Sequence, residues 1–127
     1  MTENRKNWTF ILISVILILL IIGRIDFLPW WAFVIPIMIF GFLITYKNTR
    51  FPAFATGFIA GFLVWFLGNI YFDISGSGLM LKRMADLLFI HKIAFLFISG
   101  LVGGTMAGLS LYTGKAISQA FKICARD

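Results

Sequence analysis

The sequence predicts an all-α integral membrane protein, with four transmembrane helices and a short amphipathic, interfacial helix before the fourth. Three observations carry that prediction. Of 127 residues, 61% are hydrophobic and only 13% are charged. A soluble domain carries about 25% charged residues, so the polar side chains here are too few to coat a water-soluble globule. The apolar residues fall into four runs that contain no formal charge. Backbone crossing lipid must satisfy its own hydrogen bonds, which selects helix over an open strand. A length of 127 residues fits a single domain, 1–127.

Span 1 covers about 8–23. It is short against the roughly 20 residues a bilayer needs, and Lys6 and Arg24 can snorkel outward to relieve the mismatch. Arg5 and Lys6 ahead of an apolar run resemble a signal peptide. The following "GRIDFLPWW" offers no small-x-small cleavage site and leads at once into a second apolar run, so span 1 is expected to be retained. Its "FILISVILILLII" is bulky aliphatic with one small residue, Ser14, and is expected to face lipid.

Span 2 covers about 28–46 after the short link "RIDF", which makes spans 1 and 2 an antiparallel hairpin. Pro36 falls inside it; under a transporter alternative a break there would free carbonyls to line a cavity. Span 3 covers about 53–72 after "KNTRFP". It carries Ala53, Gly57 and Gly61 at four-residue spacing, with Gly68 further along. Trp65 lies well inside this span, where its indole N–H is expected to face another helix, and Asn69 is expected to bond across to a neighbour.

The interfacial segment covers 79–92, after the flexible "SGSG" of 75–78. In it Met80, Met84, Leu87 and Leu88 recur at helical spacing, with Lys82, Arg83 and Asp86 on another face. Lys82 and Asp86 form an i,i+4 pair. Lys82, Arg83 and Lys92 are the candidate contacts for lipid headgroups.

Span 4 covers about 93–114 and holds "SGLVGGTMAGLSLYTG". Lipid tails are as apolar as leucine, so helices in lipid associate by close packing, and small residues let backbones approach. Gly100, Gly104 and Gly108 form one ladder, and Ser99, Gly103 and Ala107 form a second beside it. The expected helix-packing residues are therefore Gly57, Gly61, Gly100, Gly103, Gly104, Ala107 and Gly108. The span 4 face can pack on span 3 of the same chain, or on a second copy or partner.

Four spans put both termini on one side. That side holds Arg5, Lys6, Lys47, Arg50, Lys115, Lys122 and Arg126, against Arg24, Lys82, Arg83 and Lys92 on the other. The excess favours cytoplasmic termini. Trp8, Tyr46 and Tyr112 then fall near the inner boundary, and Trp30, Trp31 and Tyr71 near the outer one. The net charge of +6 sits between and beside the apolar runs, which suits anionic lipid rather than nucleic acid.

Chemistry-bearing patterns are few. No span contains the carboxylate that a proton-driven transporter or a rotor-ring subunit needs. There is no HExxH and no GxSxG. A Ser–His–Asp trio from Ser75 or Ser77, His91 and Asp73 has nothing in the sequence to orient it. His91 is the only histidine, too few ligands for zinc. Cys124 is the only cysteine and cannot close an internal disulfide. No cofactor is expected and no enzymatic activity. The expected role is a structural or accessory subunit of an inner-membrane assembly, partnered by the bilayer and by copies of itself or other membrane subunits. A small oligomeric transporter or channel is the alternative.

Overall fold

The computed structural model describes residues 2–25, 27–29, 31–47 and 51–126, without the side chains of residues 2–4 and 80. Trp30, Arg50 and the Met80 side chain, which enter the boundary, charge and periodicity readings above, lie outside the described residues. The described residues form five helices and no strand: α1 (Thr2–Gly23), α2 (Val34–Tyr46), α3 (Ala53–Ser75), α4 (Leu79–Leu87) and α5 (Lys92–Cys124). Three of them, α1, α3 and α5, are long and apolar enough to cross a membrane.

The second expected span differs. Its helix begins at Val34 rather than near Leu28, and the residues ahead of it form turns, with Ala32 N–H bonded to the Pro29 carbonyl (2.9 Å) and Val34 N–H to that of Trp31 (3.1 Å). Two prolines explain the late start. Pro29 biases Leu28 away from helix. Pro36 has no N–H to donate and tolerates only the first turn of a helix, where that donor has no intrahelical acceptor. Starting at Val34 makes Pro36 the third residue, so it neither breaks the helix nor frees the carbonyls that the transporter alternative would use. The resulting 13 residues span about 20 Å, short of a hydrocarbon core of about 30 Å.

The last helix differs in the other direction. The apolar span is expected over about 93–114, but its helix, α5, continues to Cys124, 33 residues in all. Gly114 is no terminator. It is buried, and a Cβ there would collide with the Met38 carbonyl and lie 3.0 Å from the Phe42 amide nitrogen of α2.

Helix α5 is the hub. It packs along α3 on one side and along α2 on the other, while α1 lies mainly against α3. α3 and α5 run antiparallel, and α2 runs in the direction of α5. The expectation that α1 faces lipid is corrected on one face: Ile11, Val15 and Leu19 are buried in the common core with Phe33, Ile37, Ala60, Ala107 and Leu111. They recur at i, i+4 and i+8, the centre of a face that the partly buried Ile16, Ile18 and Ile22 widen. Phe10, Ile13, Leu17, Leu20 and Ile21 around it remain exposed.

The short α4 is set by its two ends. Ser77 (φ +67°) and Gly78 (φ +70°) turn the chain back after α3. At its other end Phe89 N–H bonds to Asp86 O (3.3 Å) and Ile90 N–H to Ala85 O (3.1 Å), the pattern of a Schellman stop. Phe89 (φ +54°) fills the position glycine usually takes there. Leu81 and Ala85 are buried, while Lys82, Arg83, Asp86 and Leu87 are exposed. The helix covers 79–87 rather than 79–92, and the face it buries on the bundle is not the expected one: Met84, Leu87 and Leu88 of the expected apolar stripe are exposed.

Candidate functional site: the seams around helix α5

The α3–α5 seam is built from backbone. A Cβ placed on Gly57 would lie 2.6 Å from the Ala107 carbonyl oxygen and 2.8 Å from Gly108 Cα. One on Gly61 would lie 2.7 Å from both the Ala107 Cβ and the Gly103 carbonyl oxygen. Real Cβ atoms do not approach so closely, so only glycine allows this separation. Ala107 and all four glycines of the face, Gly100, Gly103, Gly104 and Gly108, are buried.

The second side of the seam is aromatic. Phe54, Phe58, Phe62 and Phe66 stack along α3 at four-residue intervals, with ring centroids 5.7–6.2 Å apart. They descend α3 as the glycines ascend α5. A Cβ on Gly100 would lie 2.9 Å from the Phe62 ring, one on Gly104 2.9 Å from the Phe58 carbonyl oxygen, and one on Gly108 3.0 Å from that of Phe54. Each glycine thus opens the groove that one phenylalanine occupies, a ridge-into-groove fit with the i,i+4 rows of both helices in use. The sequence reading singled out the glycines and missed the phenylalanines, although their four-residue spacing was its visible signal. Phe97 of α5 closes the ladder against Phe62 and Phe66, at 6.3 and 5.4 Å.

Trp65 lies on Gly103, where any side chain would collide with the indole, and packs edge-on against Phe33 (6.1 Å, 62°). It faces another helix, as expected. Two polar pairs bond helix to helix, while the buried Ser110 hydroxyl donates to Met106 O of its own helix. Asn69 Nδ2 donates to Ser99 Oγ of α5 (2.8 Å), and Trp8 Nε1 of α1 donates to Thr56 Oγ1 of α3 (2.9 Å). The exposed hydroxyls of Thr105 and Thr113 donate to their own helix, at Val102 O and Leu109 O.

The α2–α5 seam repeats the motif with fewer residues. A Cβ on Gly41 would lie 2.8 Å from the Leu111 carbonyl oxygen, and Gly114 meets the α2 backbone as described above. At this end two α5 lysines reach over the α2–α3 corner. Lys115 Nζ donates to Phe51 O (2.8 Å) and Lys122 Nζ to Thr45 O (3.0 Å). Lys122 supplies a donor and a positive charge to the carbonyl end of α2, where both are favourable.

At the opposite end the candidate headgroup residues divide. Lys92 is paired with the carboxylate of Asp73, which is 9% exposed. The other oxygen of Asp73 accepts the Leu81 N–H of α4 (3.3 Å). Asp73 thereby ties together the end of α3 and the starts of α4 and α5. Lys82 and Arg83 remain exposed, and the described residues contain no Lys82–Asp86 ion pair. An exposed i,i+4 pair gains only about 0.3–0.5 kcal/mol, too little to hold two long side chains in one geometry. Arg83 and Asp86 instead border a shallow, open groove with Leu87 and Phe89. Asp73 is engaged elsewhere, so the Ser–His–Asp arrangement is not assembled. Among the described residues no three metal-ligating side chains come together.

No family model matches the chain, and no curated protein or solved structure matches it.

Proposed function

We propose that this chain is a small multi-pass membrane protein that serves, without catalysing a reaction, as a structural or accessory subunit of an inner-membrane assembly. In this reading α2 completes a fourth crossing together with the apolar stretch ahead of it, and both termini lie on the cytoplasmic side. The observation that carries the reading is the use made of its polar and small residues. Gly57, Gly61, Gly103 and Gly104 bring backbones together, and Asn69, Ser99, Trp8 and Thr56 bond one helix to another. Residues that in a transporter would line a path hold helices in place instead.

The α3 and α5 ladders are occupied within the chain, so contacts with copies or other subunits fall to the remaining outer faces. These carry Leu101, Val102, Leu109 and Tyr112 of α5 and the outer edges of Phe54 and Phe97. Crosslinking in native membranes, followed by mild-detergent extraction and mass spectrometry, tests the proposal. It predicts a defined complex larger than the single chain. Recovery of the monomer alone contradicts it, and solute flux through liposomes holding the pure protein would favour the transporter alternative.

A further inference from the structure

Lys115 and Lys122 end in a setting that no other described cation shares. They stand two turns apart on one stripe of α5, with Ser118 between them. Lys115 Nζ, bonded to the Phe51 carbonyl, also lies 5.4 Å from the centre of the Phe51 ring. Lys122 Nζ, bonded to the Thr45 carbonyl, lies 5.8 Å from the Tyr46 ring. Both side chains are half-buried. The described carboxylates, Asp73 and Asp86, lie at the opposite end of the bundle, so among the described residues neither ammonium has an anionic partner. Each ammonium carries three donors, and one carbonyl bond leaves two.

A second, independent observation falls at the same end of the seam. The hydroxyls of Thr45 and Ser118 are buried without a hydrogen-bond partner among the described residues. Thr45 is 6% exposed and Ser118 0%. Thr45 contributes the carbonyl that Lys122 holds, and Ser118 is one turn from each lysine, so cations and hydroxyls share one end of the α2–α5 seam. A buried hydroxyl without a partner is unfavourable. An anion with several acceptor oxygens would relieve both deficits.

We propose that this end of the α2–α5 seam binds the phosphate of an anionic phospholipid headgroup. Lys115 and Lys122 are its charged donors, and Thr45 and Ser118 are the neutral donors behind them. The depth fits. Lys92 and Lys115 are 23 residues apart on α5, about 35 Å of helix, close to one hydrocarbon thickness of about 30 Å with its boundaries. Basic pockets between helices at that level suit anionic headgroups. The site differs from the α4 lysine and arginine singled out by the sequence, which are exposed with no buried polar group beside them. It rests on the reading of the chain as membrane-spanning. A soluble phosphate offers the same acceptor chemistry and is the other source.

The test is native mass spectrometry of the full chain released from vesicles of phosphatidylcholine with phosphatidylglycerol. It compares the natural protein with Lys115→Gln/Lys122→Gln and with Lys82→Gln/Arg83→Gln. One surface lysine is worth roughly fivefold in anionic-lipid partitioning, so the first pair should lower phosphatidylglycerol retention about twenty-fivefold and the second should leave it unchanged. Equal loss in both pairs overturns the proposal, because the effect would then be general charge. Inorganic phosphate added to the detergent-released protein separates the sources. Displacement of the lipid through the same lysines assigns the site to phosphate groups of either origin, and no displacement assigns it to lipid alone. If the first variant does not fold, a headgroup-photoreactive phosphatidylglycerol on the natural protein replaces it. Labelling confined to residues 115–122 and the α2–α3 corner supports the site, and labelling confined to α4 overturns it. The same spectra report assembly, so lipid binding by a monomer would contradict only the accessory-subunit reading.

Discussion

Helices α1 and α5 have similar apolar composition and very different seats in the bundle. α1 touches its neighbours through side chains alone: Ile11, Val15 and Leu19 are buried, Ile16, Ile18 and Ile22 pack partly against them, and Trp8 adds one hydrogen bond. α5 meets two helices at backbone distance, through Gly103, Gly104, Ala107 and Gly108 on α3 and through Leu111 and Gly114 on α2. The contrast shows what decides position in lipid. Bulky aliphatic surface gains little by leaving lipid for protein, because both are apolar. A glycine groove gains close contact that lipid tails cannot reproduce. The residues that would weaken a helix in water make α5 the centre here.

The largest break in that contrast comes from filling the groove. Gly57→Leu should destabilise the fold by about 3 kcal/mol or more, because its side chain meets carbonyl and Cα atoms that cannot rotate aside. Gly104→Leu belongs to the same class, facing the Phe58 carbonyl, whereas Ile16→Leu on α1 should change little. Detergent-unfolding curves of the three variants measure this, and equal curves for Gly104→Leu and Ile16→Leu would remove the distinction between the helices.

Next in size is the tie at the other end. Asp73→Leu removes both the partner of Lys92 and the acceptor of the Leu81 amide. Hydrogen exchange in α4 should quicken about tenfold while the α3–α5 amides keep their protection. Unchanged exchange at Leu81 would show that the carboxylate does not hold α4. Smaller again, Asn69→Leu should cost about 0.6 kcal/mol, the average for an interhelical hydrogen bond in a membrane protein, read from the same unfolding curves. The smallest effect has the opposite sign. Gly68 lies on α3 with open space around it, so Gly68→Ala should be neutral or stabilise by up to about 1 kcal/mol through helix propensity. Gly57→Ala should destabilise, and that difference in sign sharpens the claim that place, not residue type, sets the role of each glycine.

Much of this was legible in the sequence, for reasons that differ by residue. Gly100, Gly104 and Gly108 could be read because glycine at four-residue spacing has few uses in an apolar helix other than close approach. Asn69 could be read because an amide in lipid needs a partner. The start of α2 could not. It turns on where Pro36 must sit relative to the first helical turn, and hydropathy carries no signal for that. The length of α5 was not legible because the bound near Gly114 marks where the apolar run gives way to Lys115, which limits a membrane span and not a helix. Lys115 and Lys122 entered only as charges counted on one side of the membrane. Their roles depend on the α2–α3 corner, more than sixty residues away in sequence for each lysine.

The central claim is that α3 and α5 of one chain close on each other in this register, rather than on a second copy. Cysteines at Asn69 and Ser99, whose side chains meet at 2.8 Å, test it most directly in a Cys124→Ala background. Mild oxidation in native membranes should give a crosslink within a single chain, seen as a compact monomer on a denaturing gel and reversed by reductant. A crosslinked dimer, or no crosslink at all, would contradict the account.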